Sequence, residues 1–191
     1  MKLVLASRNA HKAREFGVLL APHEVIALPP EIELHPETGD TFEANAIEKA
    51  RTAAAGTGLA AVGDDSGIEA AALGGRPGVR SARYAGEHAS DGENLAKLLR
   101  EAPAGSALAY VCALAFVAPD GTEHVVVGRC TGTLASEPRG DGGFGYDPAF
   151  VPAETGEGDT RTMAEVSPEE KHAISHRGRA VRELLAVLSG G

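Results

Sequence analysis

The chain has 191 residues, 27 acidic against 18 basic side chains and a formal charge of −9. This acidic balance argues against a nucleic-acid-binding protein, which needs a basic surface, but not against a small anionic substrate met by local basic groups or a metal. No apolar stretch approaches the roughly 20 residues of a membrane span, and Met1-Lys2 runs directly into a strand pattern rather than a signal peptide. We therefore expect a cytoplasmic protein with one domain over residues 1–191, a length that also allows two lobes.

The first predicted elements are a buried strand over Lys2–Ala6 and a helix over Ala10–Leu20. A polar loop with the sequence SRNAHK joins them. The start of a helix exposes backbone N–H groups that bind phosphates, although this loop has no glycine and is not a Walker A sequence. The loop is therefore a candidate anion site.

A second strand is expected over Glu24–Leu28, followed by a polar, proline-rich loop over Pro29–Asp40. Thr41 is positioned to cap a helix that continues to about Ala55. A short strand over Leu59–Gly63 then leads into Asp-Asp-Ser-Gly. Two carboxylates and a hydroxyl at a strand end suit a hard cation such as Mg²⁺, although the same four residues also form a common turn.

Capping boxes predict two further helix starts, at Ser90 and at Ser167. Two long strand patterns flank Asp120-Gly121, which is a strong hairpin signal, and a last amphipathic helix covers about Arg177–Leu188. The alternation of elements predicts an α/β fold with a mixed sheet. The two cysteines make neither a disulfide framework nor a zinc site, and we expect buried thiols.

Two late stretches carry further chemistry. The sequence GFGYDP, residues 143–148, places two aromatic rings and a carboxylate among glycines, and an aromatic face can stack on a base. The sequence EEKHAISHR, residues 169–177, gathers basic side chains before the last helix. A buried turn and a solvated charged face are the plainer interpretations of these two stretches.

Taken together, these stretches resemble the inosine triphosphate pyrophosphatase family, also called XTP/dITP diphosphatases. The resemblance covers almost the whole chain in the family's order. It is carried by Ser7-x-Asn9-x-x-Lys12, Glu37-Thr38-Gly39-x-Thr41-Phe42-x-x-Asn45-Ala46, Lys49-Ala50, Asp64-Asp65-Ser66-Gly67, Leu73-Gly74-Gly75-x-Pro77-Gly78, Ser81-Ala82-Arg83-Tyr84, Gly143 to Pro148, and Glu170-Lys171-x-x-x-Ser175-His176-Arg177. One departure is Ser7-Arg8, where many members have Thr-Gly.

The resemblance implies an enzyme that hydrolyses ITP, dITP and XTP to the monophosphate and pyrophosphate, and so cleanses the nucleotide pool. It implies an elongated mixed sheet with flanking helices and two lobes around a nucleotide cleft. It also implies Mg²⁺ as cofactor and a homodimer, with a purine nucleoside triphosphate as substrate. The acidic charge and the lack of a long apolar stretch predict that neither nucleic acid nor membrane is a partner.

The resemblance also implies the roles of particular residues. Asp65 is expected to be the catalytic base, and Glu37 and Asp65 are expected to bind the metal. Substrate binding is expected from Ser7, Arg8, Asn9, Ala10, His11, Lys12, Lys49, Ser66, Phe144, Gly145, Tyr146, Asp147, Lys171, His176 and Arg177. Of these, the first loop and Lys49 would hold phosphates, residues 144–147 would form the base and sugar pocket, and Lys171, His176 and Arg177 would recognise the base.

Two alternatives stay open. The related Maf-type family performs the same hydrolysis on pyrimidine or modified nucleotides, but it lacks the FGYDP and SHR pairing present here. A non-catalytic nucleotide sensor on the same scaffold would have lost the metal carboxylates, whereas Glu37 and Asp65 are both present.

Overall fold

A computed structural model describes residues 1–190, and in that part of the chain six strands form one sheet. The strands are β1 (Lys2–Leu5), β2 (Glu24–Ala27), β3 (Ala61–Ala70), β4 (Ala107–Val117), β5 (Glu123–Leu134) and β6 (Phe150–Pro152). Their order is β2-β1-β3-β4-β5-β6. Strand β1 pairs in parallel with β2 and β3, whereas β5 and β6 are antiparallel, so the sheet is mixed.

Several helices begin at the capping residues that the sequence predicts. They are α1 (Ala10–Leu19), α2 (Phe42–Thr57), α3 (Asp91–Glu101), α4 (Pro168–Ile174) and α5 (His176–Ser189). Thr41 caps α2, and complete capping boxes at Ser90 and Ser167 start α3 and α4. The predicted α/β fold with a mixed sheet and flanking helices is therefore confirmed. Within the described residues, no helix is both long and apolar enough to cross a membrane.

The chain divides into two compact units, each assembled from separate segments. The first unit contains Met1–Asp65, Cys112–Gly128 and the segment from Arg177 onward, and the second contains Ser66–Val111 and Arg129–His176. The assignment of residues 1–191 to a single catalytic domain stays a prediction.

Each unit has its own hydrophobic core. The first core includes Leu3, Leu5, Phe16, Val62, Cys112, Leu114 and Leu184. The second includes Ile68, Leu98, Tyr110, Cys130, Tyr146, Phe150 and Met163. Both cysteines are buried, as the sequence predicts.

One boundary prediction is wrong. The sequence ends the strand at Gly63 and leaves a turn at Asp-Asp-Ser-Gly as the plainer alternative, but β3 continues through these residues to Ala70. Successive side chains of a strand point to opposite faces. The two neighbouring aspartates are therefore directed to different partners, which a turn would not require.

Candidate functional site

Glycine residues flank the two aspartates because β3 is packed too closely for side chains there. A Cβ atom on Gly63 would collide with the backbone oxygen of Ala46 and with Ala50, both on α2. Gly67 approaches the Ser81 side chain equally closely within the second unit. The close approach of β3 to α2 brings the side chain of Asp65 within reach of polar residues on that helix.

Asp64 is fully buried and is surrounded by donors from three elements. Its carboxylate forms an ion pair with Lys12 of α1 and accepts a hydrogen bond of 3.1 Å from the Cys112 thiol of β4. The Arg177 Nε atom of α5 lies 3.8 Å from Asp64 Oδ1, and the same guanidinium donates to Glu15 at 3.0 Å. Asp64 therefore joins α1, β4 and α5 through one carboxylate.

The charge of Asp64 is strongly stabilised despite its burial. Burial alone would raise the pKa of Asp64, but the cations Lys12, Arg177 and Lys49 outweigh it and hold the pKa well below its usual range. The same surroundings raise the pKa of the Cys112 thiol, through burial first and the Asp64 charge second. Asp64 is therefore a permanent anion and Cys112 a neutral donor.

Asp65 points toward α2 and lies beside a second carboxylate. The Lys49 ammonium is 2.5 Å from Glu37 Oε1 and 3.8 Å from Asp65 Oδ1, while Asn45 donates to Asp65 Oδ2 at 2.8 Å. Asn45 also accepts a hydrogen bond of 2.8 Å from the backbone N–H of Gly39. One helix thus holds both Asp65 and the loop that carries Glu37.

The two neighbouring aspartates have opposite pKa shifts. Burial is the largest cause that raises the pKa of Asp65 to about 6; Lys49 opposes this rise and Glu37 reinforces it. Burial would lower the pKa of Lys49, but the carboxylates of Glu37, Asp65 and Asp64 outweigh it and raise that pKa. An aspartate that exchanges a proton near neutral pH beside a permanently charged one is an arrangement suited to acid–base chemistry.

Glu37 and Asp65 could hold Mg²⁺ with the help of a ligand. Both carboxylates lie within 4 Å of the same Lys49 nitrogen, so one ammonium forms ion pairs with both. The described residues contain no group of three or more His, Cys, Asp or Glu side chains that could hold a metal ion. Mg²⁺ is usually bound by one or two carboxylates together with substrate phosphates, which this pair fits.

The loop between β1 and α1 is organised by its own polar side chains. The Asn9 side chain caps α1 by accepting from the backbone N–H groups of His11 at 2.8 Å and Lys12 at 3.1 Å. The hydroxyl of Ser7 accepts from the Asn9 N–H at 3.2 Å. Because these amides already donate within the loop, the predicted phosphate binding here depends chiefly on side chains, of which Lys12 carries charge.

Asp147 is the centre of a separate polar group in the second unit. Its carboxylate accepts hydrogen bonds from the Tyr110 hydroxyl at 3.0 Å, the Phe144 backbone N–H at 2.9 Å and the Lys171 ammonium at 2.9 Å. Gly143 has φ of +69°, and a Cβ atom there would collide with the Asp147 carboxylate. Asp147 is 3% exposed, so it holds its neighbours in place from within the core.

Aromatic rings surround this buried carboxylate. The rings of Tyr110 and His176 are stacked, with centroids 4.6 Å apart and an angle of 8°, and Phe150 packs on Tyr110 at 4.6 Å. The Lys171 ammonium lies 5.2 Å from the centre of the half-buried Phe144 ring. We call Tyr110, Phe144, Asp147, Phe150, Lys171 and His176 the aromatic cluster.

The structure brings part of the predicted residues together in two groups, each with further residues that were not predicted. The first unit brings together Lys12, Glu15, Glu37, Lys49, Asp64, Asp65 and Arg177, which we call the charged cluster. Arg177 was expected to read the base with His176, but its contacts are with Glu15 and Asp64, and its role as base reader stays a prediction. Arg8 donates to backbone carbonyls of residues 28–32, and Ser66 lies in β3.

Several residues that belong to these clusters or form hydrogen bonds with them were not assigned from the sequence. Asp64 and Asn45 stand within the quoted motifs, and that position is the sequence signal that could have identified them. Both polar side chains are buried in the structure. Glu15, Cys112 and Tyr110 lie in ordinary helix and strand patterns, and no local signal distinguishes them.

Comparison with known proteins agrees with this architecture. The model of the Ham1 family matches residues 3–187. A dITP/XTP pyrophosphatase of Mycobacterium tuberculosis is 50% identical, covering 98% of this chain and 95% of that protein, and one of Streptomyces avermitilis is 47% identical, covering 98% and 96%. A solved HAM1 protein of Coxiella burnetii has a TM-score of 0.87 at 40% identity, covering both chains completely. A solved nucleoside-triphosphatase, dITP/XTP pyrophosphatase, of Mycobacterium abscessus has a TM-score of 0.74 at 49% identity, covering 97% of this chain and 99% of the other.

The structure is that of an α/β protein whose first unit gathers lysine and arginine side chains around buried carboxylates. The family match and the identity over nearly the whole chain make the assignment specific. The chain belongs to the Ham1 family.

Proposed function

We propose that this protein hydrolyses the non-standard purine nucleoside triphosphates ITP, dITP and XTP to the monophosphate and pyrophosphate, and so removes them from the nucleotide pool. One observation carries the proposal. Two carboxylates, Glu37 and Asp65, converge on Lys49 in a chain 47–50% identical to proteins named dITP/XTP pyrophosphatase. Hydrolysis of a phosphoanhydride needs carboxylates that can bind a metal ion and accept a proton, and a cation that can bind phosphate; these three residues can provide them.

The charged cluster supports binding of the triphosphate. Lys12 and Lys49 are ammonium groups that can donate to phosphate oxygens in place of their present carboxylate partners. Asp64 keeps Lys12 and Arg177 close to one another without mutual repulsion, because its negative charge lies between them. These residues bind and orient the phosphate chain.

Asp65 is the proposed general base. Its pKa of about 6 leaves it as a carboxylate at neutral pH, yet basic enough to take a proton from an attacking water. Mg²⁺ held by Glu37 and Asp65 would supply positive charge against the phosphate oxygens and acidify the water. Activity is therefore expected to require a divalent cation and to rise toward alkaline pH.

The aromatic cluster supports recognition of the base. The half-buried Phe144 ring offers a face on which a purine can stack, Lys171 offers an ammonium beside that ring, and His176 stacks on Tyr110 of the same cluster. Asp147 and Tyr110 hold these groups by hydrogen bonds and stacking. A cytoplasmic homodimer without nucleic-acid or membrane partners is also proposed, on the family resemblance and the acidic charge.

Pyrophosphate release tests this proposal. ITP, dITP and XTP are compared with ATP and dTTP, with Mg²⁺ and with excess EDTA. We expect rapid release from the three non-standard purines, slow release from ATP and dTTP, and none in EDTA. A preference for dTTP would favour the Maf-type alternative, and no release from any nucleotide would favour the sensor. Full turnover in excess EDTA would show that hydrolysis does not require a divalent cation.

A further inference from the structure

Arg8 makes an unusual set of contacts for an exposed side chain. Its guanidinium donates to the backbone oxygens of Leu28 at 2.6 Å, Pro29 at 2.7 Å, Ile32 at 2.8 Å and Pro30 at 3.3 Å. All four acceptors belong to one short stretch of the loop that follows β2. Arginine suits this task because its planar group carries five N–H donors in a fixed arrangement.

The stretch that Arg8 binds needs donors from elsewhere. Pro29 and Pro30 have no backbone N–H, so this part of the chain presents carbonyl oxygens with few amides to pair them. Residues 28–41 form neither helix nor strand. A backbone hydrogen bond of 3.1 Å from the Ile32 N–H to the Pro29 oxygen closes a turn in this stretch, and side chains from other elements tie the loop to the rest of the unit.

Glu37 lies in this loop between two anchors. Arg8 binds the loop at residues 28–32, and Asn45 binds it at Gly39, where it accepts the backbone N–H at 2.8 Å. Asn45 also donates to Asp65, so the second anchor ties the loop to the other carboxylate of the pair. The Ile32 side chain adds an apolar contact because it packs where a Cβ on Gly56 would lie.

We propose that Arg8 is a positioning residue, which holds the loop of residues 28–41 so that Glu37 stays beside Asp65 and the two can share a divalent cation. This inference rests on the proposed function for its role in catalysis. It differs from the expectation that Arg8 binds phosphate, since the guanidinium is directed at four backbone oxygens. Outer residues that orient metal ligands commonly contribute 10–100-fold to metal affinity.

The test uses three variants of the full chain. Arg8→Ala removes the anchor, and Arg8→Lys keeps the charge but has one ammonium in place of the two guanidinium nitrogens that bond the four oxygens. Arg51→Ala is the matched control, because Arg51 is an exposed arginine that donates two hydrogen bonds to Glu123, away from this loop. Glu37→Gln serves as the reference for loss of the carboxylate pair.

Two measurements do not depend on turnover. Hydrogen exchange by mass spectrometry, on the protein without ligands, reports on peptides from residues 28–41. Mn²⁺ titration followed by electron paramagnetic resonance, without nucleotide, reports on metal affinity. For Arg8→Ala we expect faster exchange in this loop and an Mn²⁺ Kd raised roughly 10-fold toward that of Glu37→Gln. Arg8→Lys should be intermediate, and Arg51→Ala should match wild type.

The kinetic measurement separates positioning from phosphate binding. In ITP hydrolysis, Arg8→Ala should need roughly 10-fold more Mg²⁺ for half-maximal rate, while its KM for ITP at saturating Mg²⁺ changes less than about twofold. A raised KM with unchanged Mn²⁺ affinity would make Arg8 a phosphate ligand and overturn the proposal. Faster exchange with unchanged Mn²⁺ affinity would overturn it as well. If wild type fails to hydrolyse ITP, the proposed function is wrong, and the exchange and Mn²⁺ results still decide the role of Arg8.

Discussion

The two units each bury an aspartate beside a lysine, but they surround it differently. Asp64 in the first unit is met by two cations and a thiol from three elements. Asp147 in the second unit is met by one cation, a phenol and a backbone amide, with its two oxygens both engaged. The charged cluster is thus held chiefly by ion pairs among several cations and carboxylates, whereas the aromatic cluster is held by hydrogen bonds directed at one carboxylate.

This difference suits two tasks. Phosphates carry high charge and vary little in shape, so a group of cations balanced by carboxylates can exchange its internal ion pairs for pairs with the ligand. Purine bases are neutral and differ by single donor or acceptor groups, so their recognition needs fixed geometry. We therefore expect substitutions in the charged cluster to change rate, and those in the aromatic cluster to change selectivity and stability.

The largest expected effect is on selectivity. Wild type should prefer ITP to ATP by roughly 10⁴-fold in kcat/KM, because the 6-oxygen of hypoxanthine accepts hydrogen bonds where adenine presents donors. We expect His176→Ala to reduce this preference with little change in kcat for ITP. We expect Arg177→Ala to reduce both, since Arg177 also contacts Asp64.

Both kcat and kcat/KM are measured for ITP and for ATP, on wild type and on each of the two variants. A variant that keeps the full preference identifies a residue that does not read the base. Equal hydrolysis of ATP and ITP by wild type would contradict the proposed selectivity altogether.

Removal of the general base should give the next largest effect. Asp65→Asn keeps the shape of the side chain but removes the general base and the negative charge of one proposed metal ligand. We therefore expect kcat for ITP to fall by about 10²–10⁴-fold or more. The control is Glu123→Gln, which removes an exposed carboxylate of the Arg51 ion pair. Near-normal kcat for purified, folded Asp65→Asn would overturn the assignment.

The aromatic cluster should be more sensitive in stability than in rate. Asp147→Asn leaves Lys171 buried without its carboxylate, and breaking a buried pair in this way costs about 3–5 kcal/mol. Urea unfolding measures the loss. The double variant Asp147→Asn with Lys171→Met removes both charges and should recover part of it. If the single variant is as stable as wild type, Asp147 does not hold this cluster.

The smallest expected effect is a gain in stability that depends on pH. The pKa of Asp65 is raised from 3.8 to about 6, so the folded protein binds this proton more tightly than the unfolded chain. The stabilisation is therefore complete below about pH 4 and is lost as pH rises through about 6. Without metal, Asp65→Asn should be more stable than wild type at pH 8 by up to about 3 kcal/mol.

Urea unfolding in EDTA at pH 8 and pH 5 measures this difference. The stability advantage of Asp65→Asn over wild type should be smaller at pH 5. At that pH the carboxylate of Asp65 in folded wild type is largely protonated, which stabilises the folded state. An advantage that is equal at both values would show that the titration of Asp65 is not its cause.

The sequence by itself determined the features that depend on neighbouring residues. Capping boxes at Ser90 and Ser167 require only side chains three positions apart, and the turn at Asp120-Gly121 requires only a short local geometry. The resemblance of ordered motifs was sufficient to identify the family, and the family model confirms it.

Only the tertiary structure decided which side chains meet. Asp-Asp-Ser-Gly is a turn by local preference, but pairing with its neighbours and packing against α2 make it part of β3, and the strand geometry separates Asp64 from Asp65. Arg8 is adjacent to predicted phosphate ligands, yet it binds a loop twenty to twenty-four positions away, because that loop directs several carbonyl oxygens at its guanidinium. The stacking of Tyr110 on His176 joins residues far apart in the chain. Such contacts depend on burial and on the register of distant segments, and no local pattern encodes them.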